Sequence, residues 1–155
     1  MRRQRLRKKE AKRVAEEIRG NFGIEIKGEI DRVEVNGRTV LLVDGEPLIF
    51  EHEGRYYFTL YGIMKFRPEN GMVVVDEGAV KFIMNGADVM RPGIVQADES
   101  LRKGDFCYVV VERKLTPLAV GIALVDGTEM IGESGKAVKN LHHLNDRVWR
   151  FFLKS

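Results

Sequence analysis

Basic side chains are concentrated at the start of the chain, where their number and spacing favour the binding of a polyanion. Nine basic and three acidic residues fall within the first 20 positions, so this segment carries a net charge of +6 while the whole chain carries +3. A local excess of this size is typical of segments that bind nucleic acid or, less commonly, an anionic membrane surface. A solvated terminus without a partner is the alternative. The cations predicted to bind are Arg2, Arg3, Arg5, Arg7, Lys8 and Lys9.

A second set of cations lies beside glycine and asparagine in the second half of the chain. Lys81 and Asn85 stand one helical turn apart, and Gly86 and Arg91 follow them. Glycine lets a backbone approach a phosphate or a base edge closely, because no side chain intervenes. A later group contains Lys136, Lys139, His142, Arg147 and Arg150. If the fold brings the two groups together, they form one basic surface; the alternative is that each cation serves a structural ion pair.

The sequence offers no catalytic or metal-binding constellation. The one cysteine, Cys107, lies in an apolar run typical of a buried strand, where it acts as a small hydrophobic residue. His142 and His143 are adjacent, and neighbouring residues on a strand point to opposite faces, so they do not share a metal ion. Glycine-rich loops that bind nucleotides are also missing from the sequence. We therefore predict a protein that is not an enzyme and that needs no cofactor or metal.

The first half of the chain predicts a helix followed by an antiparallel meander. Residues 2–19 are rich in helix-forming residues, with Leu6, Val14 and Ile18 as a thin apolar stripe. Three turn signals, of which Asn36-Gly37 is the strongest, then separate four short strand-like runs. Residues 59–66 have apolar positions at helical spacing and predict a short helix.

The second half predicts one short helix and many short strands. Asp76 is placed as the N-cap of a helix that ends at Asn85-Gly86, and Gly121 marks a bulge in a later strand. Residues 147–152 are interpreted as a closing strand. Short strands joined by glycine turns indicate a small closed barrel. The predicted fold class is α+β, divided into a basic N-terminal helix (residues 1–20), an antiparallel domain (21–71) and a barrel (72–155).

No apolar run approaches the roughly 20 residues that a membrane-spanning helix needs. The basic N-terminus leads into a charged helical pattern and not into the apolar stretch of a secretory signal. We therefore predict a cytoplasmic protein without a membrane partner.

Several segments along the chain together resemble a known family. Residues 75–82 (VDEGAVKF) and 85–94 (NGADVMRPGI) resemble the opening of a PUA domain, the RNA-binding module named after pseudouridine synthases and archaeosine transglycosylases. With residues 140–149 (NLHHLNDRVW), the pattern is similar to the malignant T-cell-amplified sequence family of translation factors and its archaeal relatives. Residues 35–37, 46–50 and 57–60 resemble the pre-PUA domain of that family. The resemblance covers about residues 11–152, and it assigns the antiparallel domain as pre-PUA and the barrel as a PUA pseudo-barrel.

The resemblance implies a protein that binds structured RNA, either rRNA of the small ribosomal subunit or tRNA, and acts in translation initiation, re-initiation or recycling. It implies a protein partner for the N-terminal half. The family's RNA contacts, carried over by position, fall on Lys81, Asn85, Gly86, Arg91, Lys136 and Lys139. Two alternatives stay open: an accessory factor in ribosome biogenesis or RNA modification, and an interaction module whose barrel binds protein.

Overall fold

The chain begins with a short strand and only then becomes helical. In the computed structural model, which describes residues 2–153, strand β1 is Gln4–Arg5 and helix α1 is Lys8–Phe22. The predicted helix is therefore wrong for residues 2–7. The physical reason is a long-range pairing: Arg5 lies opposite Asp31 in an antiparallel ladder, and both Arg3 and Arg5 form ion pairs with the buried Asp31 carboxylate.

The predicted meander is confirmed. Its strands are β2 (Ile30–Val35), β3 (Arg38–Val43), β4 (Glu46–His52) and β5 (Arg55–Phe58), and β1 extends it to a five-stranded sheet in sequence order. At the first turn Asn36 and Gly37 have φ angles of 52° and 77°. Positive φ at both central residues is the geometry of a two-residue turn whose twist matches that of the flanking strands.

Two helices accompany this sheet. Val14 and Ile18 of α1 are buried, and Phe22 packs on Phe58 with ring centroids 4.9 Å apart. The predicted second helix is confirmed as α2 (Leu60–Phe66), and the Thr59 side chain caps it by accepting a hydrogen bond from the Gly62 amide. The apolar stripe of α1 therefore contributes to the core, while its charged positions stay outside.

The second half forms a six-stranded sheet that curls into a nearly closed pseudo-barrel, as predicted. Its elements in chain order are β6 (Met72–Val75), α3 (Glu77–Ile83), β7 (Val89–Met90), β8 (Ile94–Ala97), β9 (Phe106–Val111), β10 (Pro117–Ala123) and β11 (Lys136–His143). The strand order is β7-β11-β10-β9-β6-β8. Both edge strands, β7 and β8, are joined directly by the short helical turn Arg91–Gly93. A three-residue connection between the two edges forces the sheet to curl.

The barrel core confirms two further predictions. Cys107 is completely buried, and burial raises the pKa of its thiol. The register between β10 and β11 shifts between Val120 and Gly121, so the predicted bulge is present. A Cβ atom at Gly121 would stand 2.0 Å from the carbonyl oxygen of Lys139, which explains the glycine.

The last element is a helix, α4 (Arg147–Leu153), and not the closing strand that we predicted. The reason is Asp146, whose carboxylate accepts a hydrogen bond from the Trp149 amide at 2.8 Å, as an N-capping residue does. Apolar residues at 148, 149, 151 and 152 resemble a strand pattern, but they also fit one face of a short helix.

The chain divides into two compact units. Among the described residues, one contains 2–68 and 151–153, and the other contains Glu69–Arg150. We call them the N-terminal unit and the barrel unit. The division into segments 1–20, 21–71 and 72–155 stays a prediction, and Met1, Lys154 and Ser155 within those segments lie outside the described residues.

Candidate nucleic-acid interface

Helix α3 places three of its side chains, Glu77, Lys81 and Phe82, in solvent on the barrel unit. Asp76 caps the helix as predicted, since its Oδ1 accepts from the Ala79 amide at 3.1 Å. Ile83 turns into the core, while Lys81 and Phe82 are exposed. Phe82 is 65% exposed, an unusual position for a large aromatic side chain.

The loop after α3 is held in place by a side chain that the sequence analysis missed. Asn140 of β11 donates from Nδ2 to the carbonyl oxygens of Ile83 (3.1 Å) and Ala87 (3.0 Å). Its backbone N–H donates to the Asp88 side chain. These bonds fix both ends of the turn that carries Asn85 and Gly86. The partners are more than 50 residues apart, so no local signal identifies this role.

Gly86 lies against a histidine ring. Its φ angle is +92°, and a Cβ atom there would stand 3.4 Å from Nε2 of His143. A side chain at position 86 would therefore be strained by the positive φ and would contact the His143 ring. The sequence analysis weighed His143 only as a metal ligand, whereas the structure places its ring beside the candidate loop.

Strand pairing brings Arg91 close to Lys136. Lys136 lies opposite Met90 in the ladder between β7 and β11, and the Arg91 amide donates to Gly135. Lys136 Nζ lies 3.2 Å from Asp88 Oδ2, although its side chain is 62% exposed. The Arg91 side chain packs over Gly132, and its Nε is buried without a hydrogen-bond partner among residues 2–153. Lys136 is thus exposed to solvent beside the Asp88 carboxylate, whereas the Arg91 side chain is only partly exposed.

An apolar cavity of about 630 Å³ opens beside α3. Its walls come from α3, β7 and the turn that follows β7, and Phe82 and Met90 are both exposed side chains of this lining. The charged residues of the lining are Asp76, Asp88 and Lys136. The cavity therefore combines apolar walls with a few polar groups, the composition expected of a ligand pocket.

The structure places four of the predicted residues of the barrel unit in two pairs. Asn85 and Gly86 lie in the loop after α3, beside Asn140 and His143, and Arg91 pairs with the start of β11 near Lys136. Lys81 is exposed on α3, and Lys139 is exposed on β11. Arg147 is exposed at the first position of α4, outside the six-stranded sheet. Its part in binding stays a prediction.

The N-terminal cations fall into two classes. Arg3 and Arg5 are tied to Asp31, and the hydrogen bond from Arg5 lowers the pKa of that carboxyl. All six are exposed, and the other four form no ion pair with a carboxylate of residues 2–153: Arg2, Arg7, Lys8 and Lys9.

Residues 2–153 contain neither a candidate metal site nor a candidate membrane-spanning helix. No group of three or more histidine, cysteine, aspartate or glutamate side chains is arranged to hold a metal ion. Across the same residues, no helix has the length and apolar character to cross a membrane.

Asp146 holds the end of β11 and the start of α4. Burial alone would raise the pKa of Asp146, but hydrogen bonding and charge from His142, together with the amides of Trp149 and His143, lower it to about 2. The distance from His142 Nδ1 to Asp146 Oδ2 is 2.7 Å.

Asp146→Asn is expected to destabilise the barrel unit by about 1–2 kcal/mol at pH 6, allowing for solvent screening of a partly exposed group. The folded-state pKa lies below the unfolded one, so the ionised carboxylate stabilises the fold above pH 4. This contribution is lost as the pH falls toward about 2. Denaturant unfolding at several pH values measures the difference between the two proteins. Glu99→Gln, at an exposed position, is the control. A difference that stays constant from pH 6 to pH 2 would contradict the assignment.

Comparison with known proteins confirms the resemblance seen in the sequence. The family model of the PUA domain matches residues 71–144, and that of DUF1947, a domain of unknown function, matches residues 2–66. The chain is 41% identical to an uncharacterised protein of Methanocaldococcus jannaschii, over 94% of each chain. It is 34% identical to translation machinery-associated protein 20 of Saccharomyces cerevisiae, over 81% of this chain and 74% of that protein. The crystal structure of a hypothetical protein from Pyrococcus horikoshii matches with a TM-score of 0.87 and 35% identity, over 97% of this chain and 99% of that one.

These matches define the class of protein: a DUF1947 region, which is the pre-PUA domain, followed by a PUA domain. Within that class, the chain belongs to the family that contains translation machinery-associated protein 20 and its archaeal relatives.

Proposed function

We propose that this chain is a non-catalytic, cytoplasmic RNA-binding protein whose barrel unit binds an unpaired stretch of a structured RNA. Membership of a PUA family supports RNA binding. The observation that carries the proposal is Phe82, an exposed aromatic ring that belongs to the lining of an apolar cavity. Proteins that recognise unpaired RNA stack its bases on exposed aromatic rings and neutralise its phosphates with nearby cations.

The exposed cations of the barrel unit and the loop after α3 suit these two tasks. Lys81 directly precedes Phe82 on α3 and is exposed as well. Lys139 is exposed on β11. Gly86 presents backbone without a side chain, and the neighbouring Asn85 is exposed and supplies an amide for hydrogen bonds. The proposed RNA-binding residues are Lys81, Phe82, Asn85, Gly86, Arg91, Lys136 and Lys139.

The proposed RNA is rRNA of the small ribosomal subunit or tRNA, and the proposed role is in translation initiation, re-initiation or recycling. The relation to translation machinery-associated protein 20 supports this assignment. Crosslinking the protein to total cellular RNA and sequencing the bound fragments tests it. Enrichment of mature small-subunit rRNA or tRNA is the expected result. Enrichment of ribosome precursors would instead support an accessory role in ribosome assembly, and the absence of RNA would overturn RNA binding altogether.

Lys81→Gln is expected to reduce the dependence of RNA affinity on salt. A lysine that neutralises one phosphate releases counterions, and its loss should flatten the slope of log K against log salt by roughly 0.7 to 0.9 units. Titrations from 50 to 300 mM KCl measure this slope. Lys27→Gln, an exposed lysine of the N-terminal unit, is the matched control. An unchanged slope for Lys81→Gln would remove α3 from the proposed surface.

A further inference from the structure

We propose that the exposed side of α1 is a second RNA-binding surface, which contacts the phosphate backbone without regard to sequence. This surface, the α1 basic face, consists of Lys8, Lys9, Lys12, Arg13 and Arg19. The inference rests on the proposed function for the identity of its ligand, but its residues belong to the N-terminal unit, apart from the cavity of the barrel unit.

The charges of α1 are segregated by side. At 3.6 residues per turn, the five cations fall within about 140° of the helix circumference. Two of the three glutamates lie on other sides and have contacts with the sheet: Glu10 lies 3.8 Å from Arg32, and Glu17 accepts a hydrogen bond from the Tyr56 amide at 2.8 Å. Glu16 is the single carboxylate among the cations, 3.9 Å from Lys12.

Four cations of this face have no ion-pair partner in the described part of the chain. No carboxylate of residues 2–153 forms an ion pair with Lys8, Lys9, Arg13 or Arg19. Two of these residues occupy the first turn of the helix, where positive charge opposes the helix dipole. Arg7 at the N-cap adds no side-chain cap to offset this. Lys8 and Lys9 therefore do not stabilise the helix end, which is expected where a residue serves binding.

The face is ordered before any ligand arrives. Val14 and Ile18 anchor the opposite side of α1 in the core, and Leu6 before it is also buried. Strand β1 fixes the preceding residues to β2. At 1.5 Å per residue, the cations extend over about 16 Å of a rigid helix. A preformed row of cations loses less conformational entropy on binding than a flexible arm does.

The chemistry of the face favours RNA over a membrane or a protein. Its exposed positions include no large apolar side chain, whereas a membrane-surface helix inserts such residues into the lipid. The apolar residues Val14 and Ile18 are already used by the core. An acidic protein partner is an alternative occupant, and it is an outcome of the test. Since α1 places no aromatic ring on this face, contacts to phosphate are expected to add affinity without sequence preference.

The structure also decides how the test must be made. Deleting residues 1–13 would remove β1, the buried Leu6 and the first part of α1, and would damage the fold. Substitution to glutamine removes charge and retains high helix propensity. The test variant is therefore Lys8→Gln, Lys9→Gln and Arg13→Gln together. The matched control is Lys27→Gln, Arg55→Gln and Arg67→Gln together, which changes the net charge equally in the same unit.

The experiment compares three RNAs: a tRNA, a fragment of small-subunit rRNA and an unrelated hairpin. For the test variant, the slope of log K against log salt is expected to fall by about 2 units for every RNA, with their ranking unchanged. The control variant is expected to show a smaller change in slope. Circular dichroism confirms that both variants retain the fold.

Three outcomes would overturn the inference. Equal slopes for the test and control variants would show that only total charge matters. A changed ranking of the RNAs would show that the face contributes to sequence recognition. An unchanged slope, together with lost binding to polyglutamate, would assign the face to an acidic protein. Failure of the proposed function gives different results. If the protein does not bind RNA, the wild type binds none of the three RNAs. If only the barrel site is wrong, Lys81→Gln leaves RNA binding unaltered while the test variant weakens it.

Discussion

Gly121→Ala is expected to lower the free energy of unfolding of the barrel unit by about 3 kcal/mol or more. The added Cβ atom would stand 2.0 Å from the Lys139 carbonyl oxygen and 3.0 Å from its carbonyl carbon. Both are backbone atoms of β11, which is also hydrogen-bonded to β7 on its other side. The strand therefore has little freedom to move away. Chemical denaturation followed by Trp149 fluorescence measures the loss of stability.

Gly20→Ala is the matched control, and it is expected to act in the opposite direction. Gly20 lies inside α1, where no neighbouring atom lies within 4 Å of an added Cβ. Alanine in a helix interior is favoured over glycine by about 0.5–1 kcal/mol. The same chemical change thus distinguishes crowding from propensity. An unaltered unfolding midpoint for Gly121→Ala would show that β10 and β11 separate easily at the bulge.

The parts of the fold that follow local rules could be predicted from the sequence. Each turn of the meander has its signal within two residues, of which Asn36-Gly37 is an example, and the strands on either side alternate. The cap of α3 is equally local, because Asp76 and the amide it accepts from are three residues apart. These elements form where the chain itself dictates the geometry.

One of the two errors in secondary structure came from an interaction between distant residues. The segment 2–7 has high helix propensity, but Arg3 and Arg5 form hydrogen bonds with Asp31, which is 28 and 26 positions away, and Arg5 lies in strand β1. This contact also changes the interpretation of the cations: two of those predicted to bind RNA have a structural partner. For residues 147–152 the error was local, because the capping role of Asp146 was overlooked beside an ambiguous apolar pattern.

Only part of the candidate site could be predicted from the sequence. Residue types identified the cations and the glycine, and the resemblance placed them on α3 and β11. The cavity and the support of the loop by Asn140 depend on how these elements meet in three dimensions. The position of Phe82 on α3 allows its side chain to be exposed, but the neighbouring sequence did not distinguish it from a core residue.

Phe82→Ala is expected to weaken RNA binding by roughly 5- to 150-fold, since one base stacked on an aromatic ring contributes about 1–3 kcal/mol. The ring is 65% exposed, so its removal should leave folding stability nearly unchanged. No charge is lost, and the slope of log K against log salt should equal that of the wild type, unlike the slope for Lys81→Gln. Fluorescence anisotropy with a tRNA and a small-subunit rRNA fragment measures both quantities.

Two further substitutions at this position separate stacking from simple apolar contact. Phe82→Trp keeps an aromatic face and is expected to retain most of the affinity, whereas Phe82→Leu keeps apolar surface without a ring and should resemble the alanine variant. If leucine restores binding as well as tryptophan does, the cavity recognises an apolar side chain and not a base. In that case the exposed ring of α3 belongs to a protein interface, and the RNA contact must lie on the cations alone.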